Sequence, residues 1–367
     1  MIPFQFQRLN TVRVHNFSAG PAALPESVIN EVREELPVYR DAGASVMEIS
    51  HRSPQYTAIA ESARTRMRSL LGIGDDWHVL FLHGGASTQF YQVPLNFLPE
   101  GATADYVDTG AWSAKAIKEA RSVGNVNLAA SSKEGNYTFI PSRGDWDVTP
   151  GAAYLHFTSN NTIHGTEYHV DPQVEAPLVC DASSDFLSRP IDMAGYGLIY
   201  AGAQKNLGPA GVTVVLVHDS FLAKRKDGVP TILDYRTHAE KLFHTPTVFA
   251  VYVVEKVLAW IEANGGLTGM AALNREKGAL LYNRLDRTDF YRGTARPDSR
   301  SLMNVTFRLP SEDLEAEFVR EAAKAGLAGL KGHRSVGGIR ASTYNAVGMD
   351  SVSALVAFMD DFEARRG

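Results

Sequence analysis

The chain has 367 residues, with 36 lysines and arginines against 41 aspartates and glutamates, and a formal net charge of −5. This length is sufficient for a sizeable core and usually indicates about two domains, although one large α/β unit is also compatible with it. The bulk charge disfavours a nucleic-acid-binding protein, but it allows a local basic pocket for an anionic small molecule. No stretch reaches the roughly 18 uninterrupted apolar residues of a membrane span, so we expect a cytoplasmic protein. The single cysteine, Cys180, excludes an internal disulfide and a cysteine-based metal site, and no metal is predicted.

Five short apolar runs each lead into a polar or glycine-rich cluster. The runs start at Val79, Ala104, Ala152, Pro177 and Leu198, and the clusters that follow them are residues 83–89, 108–112, 158–162, 181–184 and 203–205. Apolar runs without alternation are typical of strands that are buried on both faces of a mostly parallel sheet. Ligands of such sheets bind beyond the carboxyl ends of the strands. We therefore expect one site that is assembled from all five clusters.

Helical patterns lie between these runs and after them. The predicted helices span residues 55–71, 114–122, 245–263, 270–285 and 311–325, and residues 301–308 form a predicted half-exposed strand. Because strands alternate with helices, the sequence predicts an α/β fold. Thr245 is expected to cap the third of these helices, and Pro246 suits its first turn. The pattern changes after residue 265, so we predict a large domain over residues 16–265 and a smaller α+β domain over residues 266–367, with residues 1–15 packed near the small domain.

Two charged residues, each near the end of a predicted strand, indicate one kind of cofactor chemistry. Lys205 follows a buried run and lies among small residues, so desolvation would lower its pKa and make its amine a nucleophile toward carbonyl groups. Asp181 ends the preceding run. A lysine for an aldehyde and an acid for a ring nitrogen are the pair that pyridoxal phosphate requires. Taken singly, Lys205 could instead leave the sheet for solvent, and Asp181 could be a turn residue.

The cluster from His83 to Gln89 has the composition of a backbone anion cradle at the start of a helix. It lacks the P-loop lysine and the complete G-x-G-x-x-G pattern, which disfavours ATP or NAD, and a plain glycine turn is the alternative. Trp112 is suited to stacking on a flat ring, although a core position is also compatible with it. Cys180 is expected to be a small buried strand residue and not a nucleophile.

Six long stretches of the chain match one enzyme family in order. They are residues 16–22, 45–52, 103–110, 188–192, 199–211 and 330–342. On these stretches the chain resembles the phosphoserine aminotransferases, which are fold-type I, class V pyridoxal-phosphate enzymes. The resemblance implies a large domain with a mostly parallel, seven-stranded sheet and a smaller α+β domain at the C-terminus.

The resemblance also implies roles for individual residues. Lys205 would hold pyridoxal 5'-phosphate covalently, and Asp181 would pair with the ring nitrogen. Trp112 would stack on the ring, Thr162 would contact the phenolic oxygen, and the phosphate would be held by Ala86, Ser87 and Gln204. The arginine fork suits phosphate and carboxylate groups, and the candidate substrate-binding residues within the matching stretches are His51, Arg52, His333, Arg334 and Arg340.

Members of this family are homodimers whose active sites receive two residues, usually Asn-Thr, from the neighbouring subunit. This chain has His244 and Thr245 at that place. Thr245 retains a hydroxyl group, whereas the histidine changes the first of the two contacts. Ser87 is a second variable position, because some relatives have an arginine there.

The resemblance implies a cytoplasmic enzyme of serine biosynthesis that transfers the amino group of L-glutamate to 3-phosphohydroxypyruvate, giving O-phospho-L-serine and 2-oxoglutarate. A second candidate substrate is 4-phosphohydroxythreonine, from vitamin B6 biosynthesis. The alternatives are another class V activity, such as serine–glyoxylate transamination, and a non-catalytic protein that retains the fold.

Overall fold

The computed structural model describes residues 13–367. Its helices are α1 Glu26–Glu35, α2 Pro54–Leu71, α3 Gly85–Phe97, α4 Ala111–Arg121, α5 Asp219–Leu222, α6 Tyr235–Glu240, α7 Val248–Ala263, α8 Gly266–Leu285, α9 Glu312–Lys324 and α10 Met349–Arg366. Its strands are β1 His15–Asn16, β2 Trp77–Leu82, β3 Thr103–Asp108, β4 Asn125–Ser131, β5 Leu155–Thr158, β6 Asn160–Asn161, β7 Thr166–Glu167, β8 Leu178–Asp181, β9 Tyr196–Gly202, β10 Thr213–His218, β11 Arg292–Gly293, β12 Asn304–Arg308, β13 Leu327–Ala328 and β14 Ile339–Ser342. None of the helices in residues 13–367 is long and apolar enough to cross a membrane.

Seven strands form the main sheet in the order β2-β10-β9-β8-β5-β3-β4, and β10 runs antiparallel to both of its neighbours. The predicted α/β fold with a mostly parallel, seven-stranded sheet is confirmed. The register pairs Thr158 at the end of β5 with Asp181 at the end of β8, and Asp181 with Tyr200 in β9. The carboxyl ends of these parallel strands therefore meet at one edge of the sheet.

Two strands of the sheet lie outside the predicted apolar runs. β4 is the strand at one edge, and its polar residues Asn125 and Asn127 are at least partly exposed, so its sequence lacks the signal of a buried strand. β10 is apolar and buried, but it follows the Lys205 cluster without an intervening helix. Such a short connection is available only to an antiparallel strand.

Apolar side chains cover both faces of the main sheet. Ile199 of β9 belongs to the cluster on the face that α2 and α7 cover, whereas Leu198 and Tyr200 point to the face that α3 and α4 cover. Because both faces are buried, these strands read as unbroken apolar runs. Cys180 of β8 is buried in the first cluster, as predicted, and burial raises the pKa of its thiol well above the usual value.

A third core lies in the C-terminal part of the chain. It joins the sheet β11-β12-β14 to α8, α9 and α10, and it also includes Phe17. Helix α8 contributes to two cores, because Leu267 and Met270 pack in the first cluster and Leu281 and Leu285 in the third. The boundary between residues 265 and 266 stays a prediction, and it falls just before this shared helix.

The N-terminal segment joins the C-terminal part through β1, which pairs in parallel with β13. Phe17 follows β1 directly and donates its backbone N–H to the Ala328 carbonyl at 2.8 Å. The predicted position of residues 1–15 falls largely on residues 1–12, which lie outside the described residues.

The predicted start of the long helix at Thr245 is wrong, because α7 begins at Val248. The Val248 N–H donates to the Pro246 carbonyl at 2.9 Å, and Thr247 provides the first helical acceptor, to the Val251 N–H at 3.0 Å. The tight turn at Pro246 therefore delays the helix by three residues. Thr245 is left exposed in the loop before the helix.

Lys277 is fully buried in α8 and connects this helix to the chain that follows β14. Its ammonium group donates to three backbone carbonyls, those of Thr343 at 2.8 Å, Tyr344 at 2.8 Å and Val347 at 3.0 Å. Burial lowers the pKa of Lys277 to about 7. These three hydrogen bonds offset the cost of burying the amine, because they give its polar hydrogens acceptors inside the protein.

We expect the substitution Lys277→Met to lower the free energy of unfolding by about 2–3 kcal/mol, because buried carbonyls lose their donors while the packed volume is nearly kept. Lys324→Met, at an exposed position of α9, is the control and should change the free energy of unfolding by less than about 0.5 kcal/mol. Urea unfolding followed by circular dichroism measures both values. Equal stability of the two variants would contradict a structural role for the Lys277 ammonium group.

Candidate active site

A cavity of about 310 Å³ lies at the carboxyl edge of the main sheet. Three other cavities are larger, at about 500, 390 and 350 Å³, but none of them is lined by a residue of the five predicted clusters. The smaller cavity is lined by residues from all five clusters: Gly85, Ala86, Ser87, Trp112, Thr158, Asn160, Thr162, Asp181, Ser183, Ser184, Gln204 and Lys205. The expectation of one site assembled from five strand ends agrees with this geometry.

Lys205 follows β9 and extends into the cavity. Its Nζ donates to the Thr162 hydroxyl at 3.0 Å and lies 5.9 Å from the centre of the Trp112 ring. Desolvation lowers the pKa of Lys205 to about 8, although the negative charges of Asp181 and Asp185 oppose this shift. A substantial fraction of the amine is therefore neutral near pH 8 and available as a nucleophile or base.

Asp181 ends β8 and is buried in the same cavity. Its carboxylate accepts a hydrogen bond from the Ser183 N–H at 3.0 Å. Burial raises the pKa of Asp181, whereas the Ser183 hydrogen bonds and the Lys205 charge act in the opposite direction. A second cation in the cavity would favour the ionised carboxylate.

The glycine-rich cluster turns from β2 into α3. Gly84 has φ +87°, and a Cβ atom at this position would lie 1.8 Å from the Thr88 hydroxyl oxygen, so a side chain cannot be accommodated. The turn places Gly85, Ala86 and Ser87 on the cavity wall, in the first turn of α3. Backbone N–H groups in a first turn lack helical acceptors and bind anions readily.

Three buried polar atoms in the cavity walls have no hydrogen-bond partner among the described residues. They are Nε1 of Trp112, the hydroxyl oxygen of Thr158 and Nε of Arg340. Buried polar groups are rarely left unpaired in folded proteins. Together with the N-terminus of α3 and the Lys205 amine, they fit a flat, polar, anionic ligand.

The C-terminal part of the chain also lines the cavity, through His333 and Arg340. Arg340 lies on β14, and its Nη1 donates to the Thr162 carbonyl at 3.3 Å. Burial lowers the pKa of Arg340 from its usual value. Burial and the nearby arginines lower the pKa of His333. The cleft therefore combines a reactive amine with a guanidinium group that can hold a carboxylate.

Five predicted site residues do not line this cavity. Arg52, Thr245 and Arg334 are exposed. His51 lines a separate cavity, and the His244 ring packs against His83, with 4.5 Å between ring centres. Burial lowers the pKa of His244 to about 4, and neither ring nitrogen has a partner among the described residues. Their roles stay predictions.

A family model for the class V aminotransferases matches residues 14–355. The chain belongs to the class V aminotransferase family. Within the described residues, no group of histidine, cysteine, aspartate or glutamate side chains could hold a metal ion.

Curated and solved relatives of this class V aminotransferase match it over nearly its whole length. The phosphoserine aminotransferase of Desulfosudis oleivorans is 55% identical over 97% of the chain and 99% of the relative, and that of Geobacillus kaustophilus is 51% identical over 96% and 99%. The solved phosphoserine aminotransferase of Bacillus circulans subsp. alkalophilus superposes with a TM-score of 0.95 at 50% identity, covering 97% of this chain and 99% of that one. A further solved phosphoserine aminotransferase, studied for radiation damage of its Schiff base, has a TM-score of 0.94 at 47% identity and covers 96% of this chain and 100% of that one.

Sequence reasoning missed an acidic residue close to the site of this class V aminotransferase. Asp185 is buried, accepts a hydrogen bond from the Ser159 hydroxyl and influences the charge of Lys205. Burial raises its pKa to about 6, against the effect of the Arg189 charge. The available signal was a second aspartate four residues after Asp181.

Ala19 and Gly20 also line the cavity, although no role was predicted for them. Gly20 has φ +141°, and a Cβ atom there would lie 3.6 Å from Cγ of both Gln204 and Lys205. The two residues belong to the matching stretch 16–22. That match was the only sequence signal for their position.

Proposed function

We propose that this class V aminotransferase is a phosphoserine aminotransferase. It transfers the amino group of L-glutamate to 3-phosphohydroxypyruvate and forms 2-oxoglutarate and O-phospho-L-serine. The observation that supports the proposal most strongly is that Lys205, Asp181 and Arg340 line one cleft. The chain that contains this cleft is 55% identical to a curated phosphoserine aminotransferase over 97% of its length. A place in serine biosynthesis and in the cytoplasm follows from the same proposal.

The cofactor in this proposal is pyridoxal 5'-phosphate. When bound, it supplies an aldehyde for an amine and a ring that accepts electrons. The cleft has a group for each part of such a molecule. Ala86, Ser87 and Gln204 would hold its phosphate, Trp112 would cover the ring, and Thr162 would contact the phenolic oxygen. The unpaired polar atoms and the helix N-terminus described above support this fit.

The residues of the chain have distinct chemical roles in the proposal. Asp181 keeps a proton on the ring nitrogen, because a buried carboxylate favours a neighbouring cation. Lys205 removes the proton from the substrate Cα, for which a base with a pKa of about 8 is well matched to neutral pH. Arg340 binds the substrate carboxylate and so orients the Cα–H bond toward Lys205.

The proposal includes a homodimer in which His51, Arg52, His244 and Thr245 act in the cleft of the neighbouring subunit. Their absence from the wall of the cleft in their own chain supports this arrangement. Large apolar side chains are exposed beside them: Met47 precedes His51 in the chain, and Leu242 and Phe243 precede His244. Exposed apolar groups next to one another are typical of protein interfaces.

Mixing two inactive variants tests the shared site. A chain with Arg52→Ala and a chain with Lys205→Ala are each expected to be inactive as homodimers. After denaturation and refolding together in equal amounts, half of the dimers are mixed and each has one intact site, so we expect about one quarter of the wild-type activity. An equal mixture without denaturation is the control. No recovery after mixing would show that Arg52 acts within its own chain, and an active Arg52→Ala homodimer would show that Arg52 is not needed.

A coupled assay tests the reaction itself. With L-glutamate as the donor, we expect kcat/KM for 3-phosphohydroxypyruvate to exceed that for glyoxylate at least about 100-fold. Glyoxylate has no phosphate group, so the cations that bind the phosphate would be left without a partner when glyoxylate is bound. The 2-oxo acid that corresponds to 4-phosphohydroxythreonine is the third acceptor to compare. A preference for glyoxylate would indicate the serine–glyoxylate type of activity, and no turnover of any acceptor would indicate a non-catalytic protein.

A further inference from the structure

A short loop carries two of the predicted substrate-binding residues, His333 and Arg334. This loop, the His333 loop, comprises residues 331–338 and leads into β14. It closes on itself, since the Gly332 N–H donates to the Gly338 carbonyl at 2.8 Å and the His333 carbonyl accepts from the N–H groups of Val336 and Gly337 at 3.0 and 2.9 Å. His333 lines the cleft, and the next residue in the chain, Arg334, is exposed.

Two charged residues outside the loop hold its C-terminal half. Nη1 of Arg308, at the end of β12, donates to the Val336 carbonyl at 3.2 Å. Glu315, in the first turn of α9, accepts from the Gly338 N–H at 3.1 Å through Oε2. Its other oxygen accepts from Nε of Arg308 and from the Leu309 N–H. We call Arg308 and Glu315 the loop clasp.

A glycine in the loop allows its close contact with the clasp. Gly338 has φ +70°, and a Cβ atom there would lie 2.7 Å from Cδ of Arg308 and 2.8 Å from the Phe307 carbonyl oxygen. Only glycine therefore allows the loop to lie on Arg308. Glu315 is 7% exposed, and its negative charge lies at the N-terminus of α9, where the helix dipole favours an acid.

Arg308 also lines the cavity of about 350 Å³ that adjoins the cleft through Ile163, His333 and Arg340. Its guanidinium group is already paired with Glu315 and with the Val336 carbonyl. These two contacts use Nε and one N–H of Nη1, and they tie the arginine side chain both to α9 and to the loop.

We infer that Arg308 and Glu315 are positioning residues that hold the His333 loop in place and so set the affinity for the phosphate group of the acceptor. Neither residue acts on the reacting atoms. The identity of the anion rests on the proposed function, whereas the effect of the clasp on the loop depends only on the contacts described above. Loss of the clasp should therefore weaken acceptor binding and leave the proton transfer by Lys205 nearly unchanged.

The variant Glu315→Gln tests this inference against the matched control Glu312→Gln. Glu312 lies in the same helical turn and 3.8 Å from the same arginine, but its side chain is 91% exposed and has no contact with the loop among the described residues. For Glu315→Gln we expect the KM for 3-phosphohydroxypyruvate to rise about tenfold and kcat to change by less than about twofold. Amide hydrogen exchange in residues 331–338 should become faster. Glu312→Gln should match the wild type in all three measurements.

Several outcomes would overturn the inference. They are an unchanged KM and exchange rate in Glu315→Gln, an equal effect in Glu312→Gln, or a loss of kcat without a change in KM. If Glu315→Gln does not fold, Arg308→Lys takes its place, since lysine keeps the positive charge and loses the forked contact. We then expect faster hydrogen exchange in the loop at an unchanged melting temperature. Unchanged exchange would contradict the inference. If the wild type does not turn over 3-phosphohydroxypyruvate, the proposed function fails, while the exchange measurement still decides whether the clasp holds the loop.

Discussion

The variant Lys205→Ala is expected to lose transamination activity at least about 10⁴-fold, because in the proposed function Lys205 is both the amine that binds the cofactor and the base for the Cα proton. The coupled assay with L-glutamate and 3-phosphohydroxypyruvate measures the rate. The purified variant should also lack the visible absorbance of a lysine-bound cofactor, and treatment with borohydride should not attach the cofactor to the chain.

Lys115→Ala is the control for this prediction. Lys115 is exposed and lies 4.2 Å from the centre of the Trp112 ring, so it is a lysine beside the same aromatic residue but not on the cavity wall. We expect less than about a threefold change in rate for this variant, as for most exposed positions. Visible absorbance that persists in Lys205→Ala and is still trapped by borohydride would show that another amine binds the cofactor.

The variant Asp181→Asn is expected to lower kcat about 10²–10³-fold, while the protein remains folded and binds the cofactor. An amide cannot keep a proton on the ring nitrogen as a buried carboxylate does, and the loss of one such buried electrostatic contact typically has an effect of this size. Kinetics of the separate half-reaction with L-glutamate measure the effect most clearly, because they report the proton transfer without the second substrate.

Asp185→Asn is the matched control for Asp181, since both aspartates are buried and influence the charge of Lys205. Asp185 is not on the cavity wall, so its substitution should have a much smaller effect on kcat. If the two variants lose the same activity, the total negative charge near Lys205 matters and a specific contact of Asp181 does not.

The sequence was sufficient to predict where the cleft lies. Unbroken apolar runs identified five strands of the main sheet, and the polar residues after them, including Thr162, Asp181 and Lys205, line one cavity. This prediction succeeds because parallel strands in one sheet have their carboxyl ends at the same edge. The roles of the individual residues in cofactor binding came from a family resemblance and stay predictions.

Features that depend on distant contacts could not be predicted in the same way. The clasp joins residues 308 and 315 to residues 336 and 338, and no local pattern in the sequence marks such a pairing. The edge strand β4 carries exposed and half-buried polar residues, so it has no apolar run although it belongs to the main sheet. Each of these features depends on the three-dimensional environment of the segment, which outweighs its intrinsic preference.

The central claim is that this cleft transfers an amino group from L-glutamate to a phosphorylated 2-oxo acid. The most direct measurement uses ¹⁵N-labelled L-glutamate, unlabelled 3-phosphohydroxypyruvate and purified protein, with mass spectrometry of the products. We predict ¹⁵N-labelled O-phospho-L-serine and an equal amount of 2-oxoglutarate with the wild type, and neither product with Lys205→Ala. The absence of labelled O-phospho-L-serine from the wild-type reaction, with the cofactor bound, would contradict the claim.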